Sequence, residues 1–206
     1  MKIGHITLDD VLRMELTNVS GLILIRTLLY ESYEDFQEVV LDAIESIVER
    51  IARNPQHMRG KSEDQITNDI VMQLQTIGFD ASFDTVTGGH CDITVKGQGG
   101  HIWLGEAKIA RTLDWLLQGF QQLDTRYMPG GVTSSSGGIL IYYFHKRIDR
   151  LMGKWRSYLQ VAMPRLLFSD CTKNPLSFYT EYAHQRTGLQ VKIKHIPMSL
   201  YFRPVK

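Results

Sequence analysis

The chain has 206 residues and a formal net charge of +1 at pH 7, enough for one large domain or a domain with an extension. Hydrophobic residues make up 43% of the chain and charged residues 22%, as in ordinary globular proteins. This balance excludes a strongly basic chain of the kind that binds nucleic acid over its whole surface, so any such contact must use a local basic patch.

Cysteine usage and the N-terminal residues point to no special compartment. Cys91 and Cys171 lie outside any Cys-x-x-Cys pair, so neither a zinc site nor a disulfide framework is indicated. The first ten residues lack the basic-then-apolar plan of a signal peptide. The apolar run at 22–29 contains Arg26 and is too short to span a bilayer. We therefore expect a cytoplasmic protein without a membrane segment.

Residues 8–54 carry a helical pattern, in which apolar residues recur at helical spacing from Phe36 to Ile51 with acids between them. The apolar run at 20–30 is compatible with either a strand or a buried helix. We predict that residues 1–56 form an N-terminal helical extension. Its apolar stripe must be buried against the chain's own core, a second copy or a partner protein.

A second helix pattern begins at Ser62, which with Gln65 three residues later matches a capping box. Its apolar stripe runs from Ile66 to Ile77, and Gly78 ends it. Glycine-rich turns then separate three strand-like segments. These segments span about 79–86, 90–96 and 101–109.

The second half of the chain predicts a helix over 112–128, a loop at PGGVTSSSGG and a buried-type strand at ILIYYF. A helix near 147–163, a helix near 175–187 and a strand near 189–202 follow. From Ser62 to Phe144 the order is helix, three strands, helix, strand. This order predicts an α/β domain in which a three-strand meander is joined through a helical crossover to a parallel fourth strand.

Three charged residues stand within the apolar strands. Asp92 lies in the second strand, and Glu106 and Lys108 lie in the third with Glu-x-Lys spacing, which places both on one face. The third strand is apolar on both faces, as expected of an interior strand, where charges are costly. The alternative is a surface Glu–Lys pair on an edge strand. Two carboxylates and an amine on neighbouring strands favour a site that holds a divalent metal and activates water.

These residues and this order of elements resemble the common core of the PD-(D/E)XK nuclease superfamily. The resemblance covers about residues 62–144, with Asp92, Glu106 and Lys108 at the signature positions and Cys91 in place of the motif's proline. It implies a restriction-endonuclease-like α/β fold for residues 57–206. It also implies an endonuclease that hydrolyses DNA with Mg²⁺, for which Mn²⁺ substitutes, in restriction, repair or anti-phage defence.

The predicted metal ligands are Asp92 and Glu106, because Mg²⁺ prefers oxygen. The resemblance adds the backbone carbonyl of Ala107 and the carboxylate of Glu63 in the first core helix. Glu63 fits equally well as a charge that stabilises the first turn of its helix. We assign water activation to Lys108 together with the metal. If Lys108 were desolvated, its pKa would fall and it could act as a base.

Gln118, Gln122 and His90 are predicted substrate contacts. The two glutamines lie along one side of the helix at 112–128, where amides can hydrogen-bond a phosphate, although an ordinary polar helix border is an equal alternative. His90 shares a strand face with Asp92, but a lone histidine near a turn is more often structural.

Arg150 and Lys154 are the remaining predicted substrate contacts. With Lys146 they repeat every four residues along one helix face, a stripe suited to tracking phosphates. A solvated face is the commoner role of such a stripe.

The sequence thus predicts a DNA endonuclease, with two alternatives left open. One is a non-catalytic interaction module with the same fold, and the other is a nuclease on RNA. The predicted partners are DNA and either a second copy or a partner protein, bound through the N-terminal helices.

Overall fold

The computed structural model describes residues 19–86 and 90–204, apart from the side chains of residues 19, 20, 85, 86 and 90. These residues form five α-helices and one mixed seven-stranded sheet, a mixed α/β architecture. The predicted helical residues before residue 19 lie outside the described part of the chain. No helix in the described ranges combines the length and apolar character needed to cross a membrane.

Two helices open the described chain, α1 (Val19–Leu29) and α2 (Tyr33–Ala52). The ambiguous run at 20–30 is therefore helical. Helix α2 begins with a capping box between Ser32 and Asp35, which satisfies two otherwise unpaired backbone donors. Its apolar stripe is buried against the chain's own sheet. Of the three predicted partners for this stripe, the structure therefore shows the chain's own core.

The exposed apolar residues of α1 leave the predicted intermolecular contact open. Leu28 and Leu29 are 69% and 68% exposed. A contact with a second copy or a partner protein stays a prediction for this face, and so does a domain boundary at residue 56.

The predicted core order is observed after a short 3-10 turn at Pro55–Met58. Helix α3 (Glu63–Ile77) has the predicted capping box between Ser62 and Gln65, and Gly78 ends it with φ 105°. Three antiparallel strands follow, and α4 leads through a π-helical turn to a fourth strand parallel to the third. The ranges are β1 (Asp80–Val86), β2 (His90–Lys96), β3 (Ile102–Ile109), α4 (Leu113–Gln122), the π turn (Leu123–Tyr127) and β4 (Ser136–Tyr143).

Strand β4 begins three residues before the predicted apolar run, inside the segment expected to be a loop. Gly137 and Gly138 lie within this strand, and the close approach of their neighbours explains why both positions are glycine. A Cβ at Gly137 would lie 2.5 Å from the Leu104 carbonyl oxygen, and one at Gly138 would lie 2.8 Å from the Trp103 ring.

The C-terminal part contains one helix and three strands. Helix α5 (Ile148–Ala162) matches the prediction, and the strands are β5 (Leu167–Asp170), β6 (Phe178–Ala183) and β7 (Gln190–Ser199). The predicted helix near 175–187 is wrong, because that region contains β6. Phe178, Thr180 and Tyr182 are buried and alternate with more exposed residues, which is the period of a strand.

The sheet order β1-β2-β3-β4-β7-β6-β5 places β3 and β4 in the interior. One face of the sheet is covered by α2 and α3, and the other by α4 and α5. The prediction that 101–109 is an interior strand is confirmed. The parallel strands β3 and β4 end at the same edge of this three-layer structure.

The Tyr33 hydroxyl joins α2 to the beginning of the β3–β4 pair. It accepts hydrogen bonds from the backbone N–H groups of Ser135 and Ser136, each at 2.9 Å, and donates to the Ile102 carbonyl at 3.0 Å. A single hydroxyl thus links α2 to the first residues of both β3 and β4.

Replacing Tyr33 by Phe should lower the free energy of unfolding by about 2–3 kcal/mol, because two backbone donors lose their acceptor. Urea unfolding followed by circular dichroism measures the change. Tyr158→Phe is the control, since that hydroxyl bonds Asp114 at the surface and its loss should leave the midpoint almost unchanged. Equal midpoints for Tyr33→Phe and the wild type would contradict the role of this bridge.

Candidate functional site

The site lies where β2 and β3 stop pairing. Their ladder runs from Lys96 opposite Ile102 to Ile93 opposite Gly105, whereas β3 continues to Ile109 and remains paired with β4 on its other side. Beyond Gly105, carboxylates take the place of the missing strand as acceptors for β3.

Two carboxylates make these substitute bonds. The Ala107 N–H donates to Asp92 Oδ2 at 2.8 Å, and the Ile109 N–H donates to Glu63 Oε2 at 2.6 Å. Glu63 reaches this strand from the first turn of α3. Hydrogen bonds from the β3 backbone therefore fix the positions of the Asp92 and Glu63 carboxylates.

Lys108 lies among three carboxylates. Its Nζ atom is 2.7 Å from Glu106 Oε1, 3.4 Å from Glu63 Oε1 and 3.9 Å from Asp92 Oδ2. The Lys108 side chain is 9% exposed and that of Glu106 is 2% exposed. The predicted residues Asp92, Glu106, Lys108 and Glu63 thus form one cluster, which we call the charged cluster.

Helix α4 holds the Lys108 side chain in place. A Cβ at Gly119 would lie 2.8 Å from Lys108 Cγ, so the helix approaches this closely only because residue 119 is a glycine. The Lys108 ammonium also lies 5.5 Å from the centre of the Trp115 ring, within the range of a cation–π contact.

Burial is the main influence on the pKa values of Glu106 and Asp92. It raises the pKa of Glu106 to about 7, with the Asp92 charge adding to the rise and Lys108 opposing it. Burial also raises the pKa of Asp92, against the effects of the Ala107 N–H and Lys108.

Lys108 remains an ammonium. Burial alone would lower the pKa of Lys108, but Glu106, Glu63 and Asp92 together raise it above its ordinary value. Without divalent metal, these charges therefore keep Lys108 protonated, and its action as a base stays a prediction. Lys108 acts as a positive charge that neutralises part of the carboxylate charge.

The donor chemistry of the charged cluster fits a hard divalent cation. Three carboxylates face one ammonium, and Glu106 Oε2 is buried without a hydrogen-bond partner among the described residues. Such an orphaned anionic oxygen is costly unless a cation or donor meets it. No three His, Cys, Asp or Glu side chains in the described part of the chain are already arranged as a metal-binding group.

Comparison with known proteins adds no identification. No family model, curated protein or solved structure matches the chain. The functional interpretation therefore depends on the geometry of the site.

The other predicted residues lie at varying distances from the charged cluster. The structure connects Ala107 to it through the N–H group, so a ligand role for the Ala107 carbonyl stays a prediction. Gln118 is exposed and Gln122 half-buried on α4, and no described hydrogen bond joins them to the cluster. His90 begins β2 opposite Val86, but its side chain lies outside the described part.

Arg150 and Lys154 line a basic cleft at the carboxyl ends of β3 and β4. The cleft has a volume of about 660 Å³ and begins at Ile109, the residue after Lys108. Its other basic residues are Arg111, His145, Lys146 and Arg147. The basic stripe predicted on α5 thus lines a cleft that lies beside the charged cluster, but Arg150 and Lys154 do not contact the cluster.

Sequence reasoning missed three neighbours of the charged cluster. Gly119 could have been noticed, because an isolated glycine within a helix pattern often marks close packing. Trp115 is not singled out by the helix pattern, whereas its ring centre lies 5.5 Å from the Lys108 ammonium and 5.7 Å from the Arg111 guanidinium. Arg111 itself carried no pattern that distinguished it.

Without divalent metal, the Glu106 carboxyl should titrate near pH 7. Carbon-13 NMR of carboxyl-labelled glutamate measures this midpoint, and Glu106→Gln identifies the resonance by its absence. Only titrations near the ordinary value of 4.5 would contradict the burial of this group. Because the folded pKa is raised, the contribution of Glu106 to stability is fully present below pH 4.5 and is lost as the pH rises through 7.

Proposed function

We propose that this protein is a metal-dependent endonuclease that hydrolyses DNA, with a restriction-endonuclease-like core of the PD-(D/E)XK type. The observation that carries the proposal is the charged cluster, above all the buried Glu106 oxygen without a partner. The order of α3, β1–β3, α4 and β4, with Asp92 and Glu-x-Lys on adjacent strands, supports the same assignment.

Asp92 and Glu106 would hold Mg²⁺ or Mn²⁺, with Glu63 as a further carboxylate. Bound there, the ion supplies positive charge against the scissile phosphate and makes water more acidic. Asp92 and Glu63 each use one oxygen to accept a β3 N–H, which fixes the carboxylates before any ligand arrives. Preorganised groups of this kind need little rearrangement during the reaction.

In this proposal, Lys108 supplies a positive charge and orients the attacking water. It is protonated, desolvated and held by Trp115 and Gly119. A fixed ammonium stabilises the negative charge that develops on a phosphodiester during hydrolysis. The N–H donor that Glu106 and Glu63 leave free can also orient the attacking water.

DNA is the proposed substrate, and RNA remains the alternative. The basic cleft beside the charged cluster supports a polyanion as the ligand, because its cations are exposed next to the catalytic charges. The biological context proposed from the resemblance is restriction, repair or anti-phage defence. We also propose that the exposed Leu28 and Leu29 of α1 contact a partner protein or a second copy of the chain.

Wild-type protein should cut plasmid DNA in the presence of Mg²⁺ or Mn²⁺. Glu106→Gln and Lys108→Met should each lower the rate by at least about a hundredfold, since each removes charge from the reacting centre. Gel assays at several salt concentrations, run in parallel on an RNA transcript, measure the rates and the choice of substrate.

The matched controls are Glu181→Gln and Lys192→Met. These residues form a 3.1 Å ion pair on the β6–β7 ladder of the same sheet and should be dispensable for cleavage. If the two active-site variants cut as fast as these controls, the assigned site is wrong.

Mn²⁺ should bind the wild-type protein with measurable heat in titration calorimetry, and Asp92→Asn and Glu106→Gln should weaken binding by at least about tenfold, because each replaces a carboxylate ligand. Asp149→Asn is the control, since Asp149 pairs with Arg147 on α5. Absence of Mn²⁺ and Mg²⁺ binding, with and without DNA, would favour the non-catalytic module instead.

A further inference from the structure

The basic cleft has a fixed position relative to the charged cluster. Lys108 lies opposite Ile141 in the parallel β3–β4 ladder, and Ile141 and Tyr143 share one face of β4 because side chains alternate. Tyr143 therefore projects on the same side of the sheet as Lys108, two residues further along the neighbouring strand. The cleft is therefore adjacent to the charged cluster, with Ile109 of its lining next to Lys108 in the chain.

The cations of the cleft are largely free of acidic partners. Arg111, Lys146, Arg150 and Lys154 line the cleft, and none of them forms an ion pair with a described acid. Arg147 also lines the cleft and is the exception, because it pairs with Asp149. Elsewhere the pattern differs, since Arg26 and Lys173 share Asp42, Arg156 pairs with Asp170 and Arg165 with Asp124. Cations without internal partners remain available for phosphates.

Aromatic rings accompany these cations. Tyr143, Phe144 and His145 line the same cleft, and the rings of Tyr143 and His145 meet at 5.5 Å in a T-shaped contact. His145 is exposed and Tyr143 is half-buried, whereas Phe144 packs against the core beneath α2 and α3, so Tyr143 and His145 supply the rings that face the cleft. Cations interleaved with accessible rings are typical of grooves that bind single strands, in which phosphates meet the charges and unpaired bases stack on the rings.

We propose that the basic cleft binds single-stranded DNA and delivers it to the charged cluster, so that the substrate of the proposed nuclease contains an unpaired segment. The inference rests on the proposed function for its second half, the delivery to a cutting site. The binding itself depends on the cleft alone. Base pairing would hide the base faces from Tyr143 and His145, so a duplex would use only the charges.

Fluorescence anisotropy tests the proposal with the full chain carrying Glu106→Gln, in buffer without divalent metal. The probes are a labelled oligodeoxythymidylate of about 20 nucleotides, longer than a typical single-strand site, the matching dA·dT duplex and oligouridylate. The single DNA strand should bind at least about tenfold more tightly than the duplex, because only unpaired bases can stack on the rings.

Two kinds of variant separate stacking from charge. Tyr143→Leu should weaken single-strand binding roughly five- to fiftyfold without changing the salt dependence, since it removes a ring but no charge. Arg150→Gln and Lys154→Gln should each reduce the slope of log affinity against log salt by about 0.7, the value for one lost phosphate contact on a single strand.

The chain offers a matched aromatic control. Tyr179 lies 4.7 Å from Lys192 and 5.2 Å from Lys194, so it is also a tyrosine beside two cations, but it lines a different cleft. Tyr179→Leu and Lys192→Gln should leave single-strand affinity unchanged. If Tyr143→Leu lowers the melting temperature, His145→Ala is used instead, because His145 is exposed. It should weaken single-strand binding by a few-fold.

Equal or tighter binding of the duplex would overturn the proposal, as would unchanged binding by both Tyr143→Leu and His145→Ala. Tighter binding of oligouridylate than of oligodeoxythymidylate would overturn the choice of DNA. Failure of the nuclease is a separate result: wild-type protein that binds the single strand through the cleft but cuts no DNA with Mg²⁺ or Mn²⁺ would refute the catalytic function alone.

Discussion

The buried ammonium of Lys108 is the interaction on which the site depends. It faces Glu106, Glu63 and Asp92 within 4 Å, and without it three carboxylates would meet in a desolvated space. Each acid comes from a different element, so without the ammonium their mutual repulsion would raise their pKa values further and favour uptake of protons over three carboxylates. One lysine side chain therefore links the layers of the fold at the point where chemistry is proposed.

The neighbouring architecture keeps this charge where it is. An interior parallel strand carries Lys108, a glycine in α4 leaves room for its alkyl chain, and an indole ring covers the ammonium. At the opposite end of the same strand pair, Tyr33 fixes the first residues of β3 and β4 through backbone bonds. Both ends of the β3–β4 pair thus contact helices, Tyr33 of α2 at one end and Gly119 and Trp115 of α4 at the other.

Much of this arrangement could be predicted from local pattern. Ser62, Gln65 and Gly78 define α3 through capping chemistry, and period-two spacing in β3 places Glu106 and Lys108 on one face. Periodicity predicted the wrong element at 175–187. Strand β6 has only six residues, and the alternation of Phe178, Thr180 and Tyr182 is too short to distinguish a strand from a helix in the sequence. Long-range contacts such as Glu63 to Ile109 could not be predicted, because they depend on how α3 meets the strand end in space.

The two substitute bonds at the end of β3 have a consequence for how this site can change. Asp92 and Glu63 act as acceptors that a neighbouring strand would otherwise supply, so removal of either acid leaves a backbone donor unpaired within the sheet. An amide side chain keeps an acceptor oxygen and removes only the charge. Replacement by Asn or Gln should therefore be structurally mild, whereas replacement by Ala should leave the Ala107 or Ile109 N–H without its acceptor. Even a relative without the proposed activity would be expected to keep polar residues at these positions, because the same two backbone donors would still need acceptors.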